Sequence, residues 1–92
     1  MIIMEMEREF VVANKNGLHC RAAVTLADAV KGYDARILIR AGDSVANADS
    51  ILDIMALGCS RGATVRVVVS GPQAGEAMTM VARAFADNFG EE

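Results

Sequence analysis

His19 is the one histidine in the 92-residue chain; the turn-forming run Asn14-Lys15-Asn16-Gly17 precedes it and Arg21 follows two positions on. Beyond it begins a stretch with helical periodicity, so His19 falls at a helix start. The first turn of a helix presents N–H groups without intrahelical acceptors and the positive end of the helix dipole. That setting suits a neutral, nucleophilic imidazole and welcomes a phosphate once one arrives. An arginine offers a planar fork of donors that fits phosphoryl oxygens. These residue types at this spacing suit a histidine that accepts a phosphoryl group and gives it away. Position alone is equally compatible with a solvent-facing histidine that caps the helix, beside a merely solvated Arg21. Gly17 is read structurally, as a residue able to take positive φ in the turn.

Other reactive side chains are few. Cys20 and Cys59 are the two cysteines; they make neither a disulfide framework nor a zinc site, which needs three or four ligands. Cys20, at the helix start, is a candidate for thiol chemistry, although a neighbour in sequence does not face His19 on a helix. Cys59 reads as a small apolar packing residue. No metal or cofactor site is expected. A net charge of −3 with nine Lys and Arg argues against nucleic acid, whose binding rests on neutralised phosphates, and against anionic lipid. The apolar runs are too short to cross a bilayer. The first residues, with Glu5, Glu7 and Glu9 and no basic segment, do not read as a signal peptide. Met1, Met4 and Met6 are alternative starts. The expectation is a cytoplasmic monomer with reduced thiols.

The elements that must position His19 follow from periodicity. Glu7 to Ala13 reads as a strand with Arg8, Phe10 and Val12 on one face. Cys20 to Val30 reads as a helix with the stripe Ala22, Ala23, Leu26, Ala27 and Val30, ended by Lys31-Gly32 with a cation in the last turn and a glycine cap. Ala35 to Ala41 and Ser44 to Asn47 read as strands joined at Gly42-Asp43. Ser50 to Leu57 reads as a short helix, with Ser50 and Asp53 in a capping-box pattern and Gly58 as terminator. Ala63 to Ser70 is a fourth strand with Ala63, Val65, Val67 and Val69 on one face. Gly71-Pro72 opens a last helix whose buried stripe is Ala74, Ala77, Met78, Val81, Ala82, Phe85 and Phe89.

The order β-α-β-β-α-β-α, with half-polar strands and one-striped helices, predicts an α+β two-layer sandwich with one sheet face left to water. Ninety-two residues, 53% of them hydrophobic, fit one domain, residues 1–92, with a real core.

Asn16-Gly17-Leu18-His19-Cys20-Arg21 resembles the active-centre motif of HPr, the histidine-containing phosphocarrier of the bacterial phosphoenolpyruvate-dependent sugar phosphotransferase system. Ala48-Asp49-Ser50-Ile51-Leu52-Asp53-Ile54-Met55-Ala56-Leu57-Gly58 is similar to the family's regulatory-serine segment, and Arg61-Gly62-Ala63-Thr64-Val65 with Gly71-Pro72 to its final strand and turn. The resemblance runs from Glu9 to Gly90. It implies an open-faced sandwich, its four-stranded antiparallel sheet covered on one face by three helices. It implies that His19 takes a phosphoryl group from phospho-Enzyme I and passes it to an Enzyme IIA domain, with Arg21 steadying the phosphate. It implies a docking patch of Val24, Ile51, Leu52 and Met55. It makes Ser50 a target of HPr kinase/phosphorylase, beside its reading as a helix N-cap. The protein would be a covalent carrier and not an enzyme.

The chain departs from the family at Ala22, where proline is usual, and at Asp28, Asp49 and Asp53, where lysines are common around the active centre; Lys31 remains. An acidic collar weakens docking to a typical Enzyme I. The alternative is a regulatory binding module of the same fold that controls partners without relaying phosphate.

Overall fold

The computed structural model describes residues 5–91, so the alternative starts at Met1 and Met4 lie outside the described residues. Strand β1 spans Glu5–Val11, helix α1 Cys20–Val30, β2 Arg36–Ala41, β3 Ser44–Asn47, α2 Ile51–Ala56, β4 Thr64–Ser70 and α3 Ala74–Ala86, with a 3-10 turn at Asn88–Gly90. The strands form one sheet in the order β1-β4-β2-β3, antiparallel throughout. The predicted open-faced α+β sandwich is the observed one.

Alternation along the strands decides the two faces. Ile37, Ile39, Ala46, Val65, Val67 and Val69 are buried under the helices, which add Leu26, Ile54, Met78, Val81 and Phe85 to the same core. Phe10 of β1 stacks on Phe85 of α3 at 4.6 Å between ring centroids, and Phe89 meets Phe85 edge-on at 4.9 Å. Arg8 shares the Phe10 side of the strand but stays exposed at the sheet edge, its guanidinium 4.9 Å from the Phe10 centroid. On the open face Arg66, opposite Glu9 in the β1–β4 register, bridges Glu7 at 2.9 Å and Glu9 at 3.1 Å. Hydrogen bonds to these two carboxylates raise its pKa further.

The structure corrects several expectations at element ends. β1 begins earlier than predicted and leaves the ladder after Val11, although Val12 still accepts from Gly62 N–H at 2.7 Å and donates to the Ala63 carbonyl at 2.8 Å. The last turn of α1 holds no basic residue; Lys31 is the extended cap itself, and Gly32 follows with φ 89°. At α2 only half of the capping box forms. Ser50 Oγ accepts from Asp53 N–H at 3.2 Å, but the Asp53 carboxylate accepts from Asn47 N–H at 3.3 Å instead of reaching back to Ser50. Aspartate is one methylene shorter than the glutamate that completes such a box.

Pro72 lies before α3, not inside it, because Gln73 is the N-cap. Gln73 donates its N–H to the Asp34 carbonyl at 2.9 Å, and its side-chain oxygen accepts from Asp34 N–H at 2.7 Å. This tie to the loop before β2 holds the chain out of the helix for two further residues. In α3 the buried stripe includes Ala84, while Ala82 is only half-buried. Phe89 is buried as expected, but from a left-handed turn past the helix end, with φ 56°.

Candidate functional site

His19 is the N-cap of α1, with extended backbone at φ −80° and ψ −178°. Its carbonyl accepts the first helical bond, from Ala23 N–H at 2.8 Å, and its side chain makes no capping bond. The backbone at His19 is therefore fixed, and the ring is left exposed. A proline at Ala22 is not needed for this, since α1 starts at Cys20 as predicted.

The loop that delivers His19 is pinned from both sides. Asn14 and Gly17 close a turn through Gly17 N–H to the Asn14 carbonyl at 3.2 Å and Asn14 Nδ2 to the Gly17 carbonyl at 2.8 Å. Leu18 N–H donates to the Cys59 carbonyl at 2.9 Å, and the Leu18 side chain is buried. Gly17 has φ 68°, and a Cβ there would collide with the Cys59 carbonyl oxygen and fall 2.9 Å from Ser60 Cα. Glycine is thus required twice, by conformation and by backbone contact. This seat at Cys59-Ser60 was not predicted; no local sequence signal marks it.

Two open hollows flank the imidazole. On one side His19 shares a hollow of about 190 Å³ with Leu18, Met55, Cys59 and Ser60. On the other it shares about 330 Å³ with Cys20, Arg21 and Glu91, next to a third hollow that Lys15, Arg21 and Glu91 line. The structure thus brings the predicted pair His19 and Arg21 to one cavity, both exposed. It adds Glu91, which sequence reasoning missed. Glu91 Oε2 accepts from Asn14 Nδ2 at 2.6 Å across 77 positions of sequence, a separation no local pattern reveals.

Of the predicted docking residues, Met55 borders His19 directly. Ile51 and Leu52 lie one helical turn before Met55 and are exposed, Leu52 by 78%; Val24 is exposed on α1. Ile54 turns inward and is fully buried, which resolves why this helix is apolar on so many sides. Ser50 is half-buried with its hydroxyl engaged in the cap.

None of Asp28, Asp49 and Asp53 lines a hollow at His19. Asp49 faces Lys31 and Tyr33 at the other end of α1, about 15 Å away by helix rise. Both cysteines are free, Cys20 exposed and Cys59 half-buried; burial pushes the Cys59 thiol up. Among the described residues no group of three or more His, Cys, Asp or Glu could hold a metal ion. No helix among them is long and apolar enough to cross a membrane.

The element order, the open-faced sheet and the free imidazole at the first helix start are those of an HPr-type phosphocarrier. Residues 6–87 match the family described as the PTS HPr component phosphorylation site, and the chain belongs to that family. It is 31% identical over 90 residues to the phosphocarrier protein NPr of Escherichia coli K12, covering 97% of this chain and 100% of that one. A second relative is DhaM of Klebsiella michiganensis, the phosphoryl donor subunit of a PEP-dependent dihydroxyacetone kinase. The identity there is 36% over 81 residues, which cover 88% of this chain and 17% of that subunit. Among solved structures, HPr-C-His from Thermoanaerobacter tengcongensis superposes with a TM-score of 0.89 at 31% identity, covering 95% of this chain and 98% of that one. The chain is thus related to phosphocarriers of the phosphotransferase system.

Proposed function

We propose that this protein takes a phosphoryl group on His19 from phospho-Enzyme I and passes it to an Enzyme IIA domain. The observation that carries the reading is the exposed imidazole at the α1 cap, free of any capping bond and in one cavity with Arg21. The lone pair of a ring nitrogen attacks the phosphorus of the donor phosphohistidine. A P–N bond forms to His19 as the donor's P–N bond breaks, and the second transfer repeats this with His19 as leaving group. Arg21 supplies fixed donors to the phosphoryl oxygens, and the first-turn N–H groups favour the added charge. The chain needs no acid–base partner of its own, because both ends of the relay are imidazoles or groups that the partners supply.

Val24, Ile51, Leu52 and Met55 form the apolar part of the docking face, and Enzyme I and Enzyme IIA use it in turn. The protein acts as a single-domain cytoplasmic monomer and is a substrate of phosphotransferases, not a catalyst. Ser50 is the candidate regulatory site for an HPr kinase/phosphorylase. Modification there replaces the hydroxyl that accepts from Asp53 N–H with a phosphate that repels the Asp49 and Asp53 carboxylates.

The test is labelling with phosphoenolpyruvate and the cognate Enzyme I. Wild type acquires an acid-labile, alkali-stable phosphate and His19→Ala acquires none. Equal labelling of the two overturns the assignment. A wild type that binds partners yet never labels establishes the regulatory-module alternative.

A further inference from the structure

Asn14 is the one buried polar side chain among the described residues, 1% exposed. Its Nδ2 donates twice, to the Gly17 carbonyl in the loop that delivers His19 and to the Glu91 carboxylate. Its Oδ1 is buried with no partner. The amide cannot turn over to relieve this, because both of its neighbours are acceptors and would then face an oxygen. One buried side chain therefore ties the His19 loop to Glu91 and to nothing else on its other side.

The path that brings Glu91 there is strained. Asn88, Phe89 and Gly90 have φ of 49°, 56° and 77° in succession, a conformation that a bulky residue such as Phe89 rarely adopts. Burial of the Phe89 ring against Phe85 fixes the turn, and bonds from Gly90 N–H to Asp87 O and from Glu91 N–H to Asn88 O close it. The result is that Glu91 lines the cavity of His19 and Arg21.

We propose that Glu91 is a positioning residue whose charge sets how readily His19 holds and surrenders its phosphoryl group. The inference rests on the reading of His19 as phospho-acceptor. In the free protein the Glu91 carboxylate occupies the anion-favouring side of the site and holds the loop through Asn14. A phosphoryl dianion on His19 enters the same cavity and repels it. The donors of Arg21 turn to the phosphoryl oxygens, and the Asn14–Glu91 bond gives way. By linkage, whatever the closed bond gains in the free form is a cost to the phosphorylated form. Glu91 thereby keeps the phosphoryl group easy to transfer onward.

The experiment is the equilibrium of the full chain with catalytic Enzyme I at fixed phosphoenolpyruvate and pyruvate concentrations. Docking strength cancels from this equilibrium, so a change in it reports the phosphohistidine itself. Glu91→Gln keeps the shape and an acceptor oxygen but removes the charge. It is expected to raise the ratio of phosphorylated to free protein about fivefold at low salt, with a smaller effect at high salt; Glu91→Ala gives a shift in the same direction. In wild type the Asn14 side-chain amide resonances move on phosphorylation, and in Glu91→Gln they move much less. Equal ratios in wild type and both variants, or Asn14 resonances that phosphorylation leaves in place, overturn the proposal while His19 stands. Labelling of His19→Ala overturns the site itself.

Discussion

At the scale of single residues, the site consists of a free ring on a constrained backbone. Gly17 carries much of that constraint. Gly17→Ala is expected to cost about 2–4 kcal/mol, combining a left-handed backbone with a contact that neither Cys59 nor Ser60 can relax. Urea unfolding measures the loss, and slower phosphorylation should accompany it because the displaced loop carries His19. Arg21→Ala, at an exposed position, should leave the urea midpoint unchanged and slow phosphoryl transfer. Cys59 offers a test of pH dependence. Its thiol is pushed up by burial, so the unfolded chain gives up that proton first. The stability contributed by the buried neutral thiol is fully present below the unfolded pKa and is lost as pH rises through the folded one. Urea midpoints for wild type should therefore fall on the alkaline side, and Cys59→Ser should flatten that limb.

At the scale of elements, what was legible was local. α1 spans Cys20–Val30 as predicted, because its packing stripe Ala22, Ala23, Leu26 and Val30 and its flanking caps His19 and Lys31 all lie in one short stretch of sequence. The start of α3 was not legible, since the tie between Gln73 and Asp34 joins segments 39 positions apart. The half-formed box at α2 turned on whether a carboxylate would prefer Ser50 or Asn47, a choice made by the β3–α2 connection. This element separates folding from docking. Ser50→Ala should lose about 1 kcal/mol as a capping oxygen is removed. Ile54→Ala should lose about 2–5 kcal/mol as a core cavity opens. Leu52→Ala should change stability by less than about 0.5 kcal/mol yet weaken binding to Enzyme I, as measured by calorimetry. A Leu52→Ala protein that binds Enzyme I as tightly as wild type removes α2 from the docking face.

At the scale of the whole molecule, charge and chain path decide what the site meets. His19 and Arg21 were legible because they lie two positions apart in sequence. Glu91 was not, because only the complete fold returns it to Asn14. The placement of the acidic residues likewise changes the expectation about partners. Met55 at one end of α2 borders His19, while Asp49 before its other end faces Lys31. The exposed Asp28 and Asp49 therefore lie toward the end of α1 away from His19. Charges at that distance act on encounter more than on chemistry. With an Enzyme I whose own HPr carries lysines around the active centre, this protein of net charge −3 should associate slowly. The pair Asp28→Lys and Asp49→Lys should speed association about tenfold at low salt, and the gain should shrink as added salt shortens the Debye length. Stopped-flow association at two ionic strengths reads this directly. Once the complex is formed, the rate of transfer to His19 should be the same in wild type and the double variant. A variant that transfers faster within the complex, with unchanged association, would place those two carboxylates in the reacting site after all.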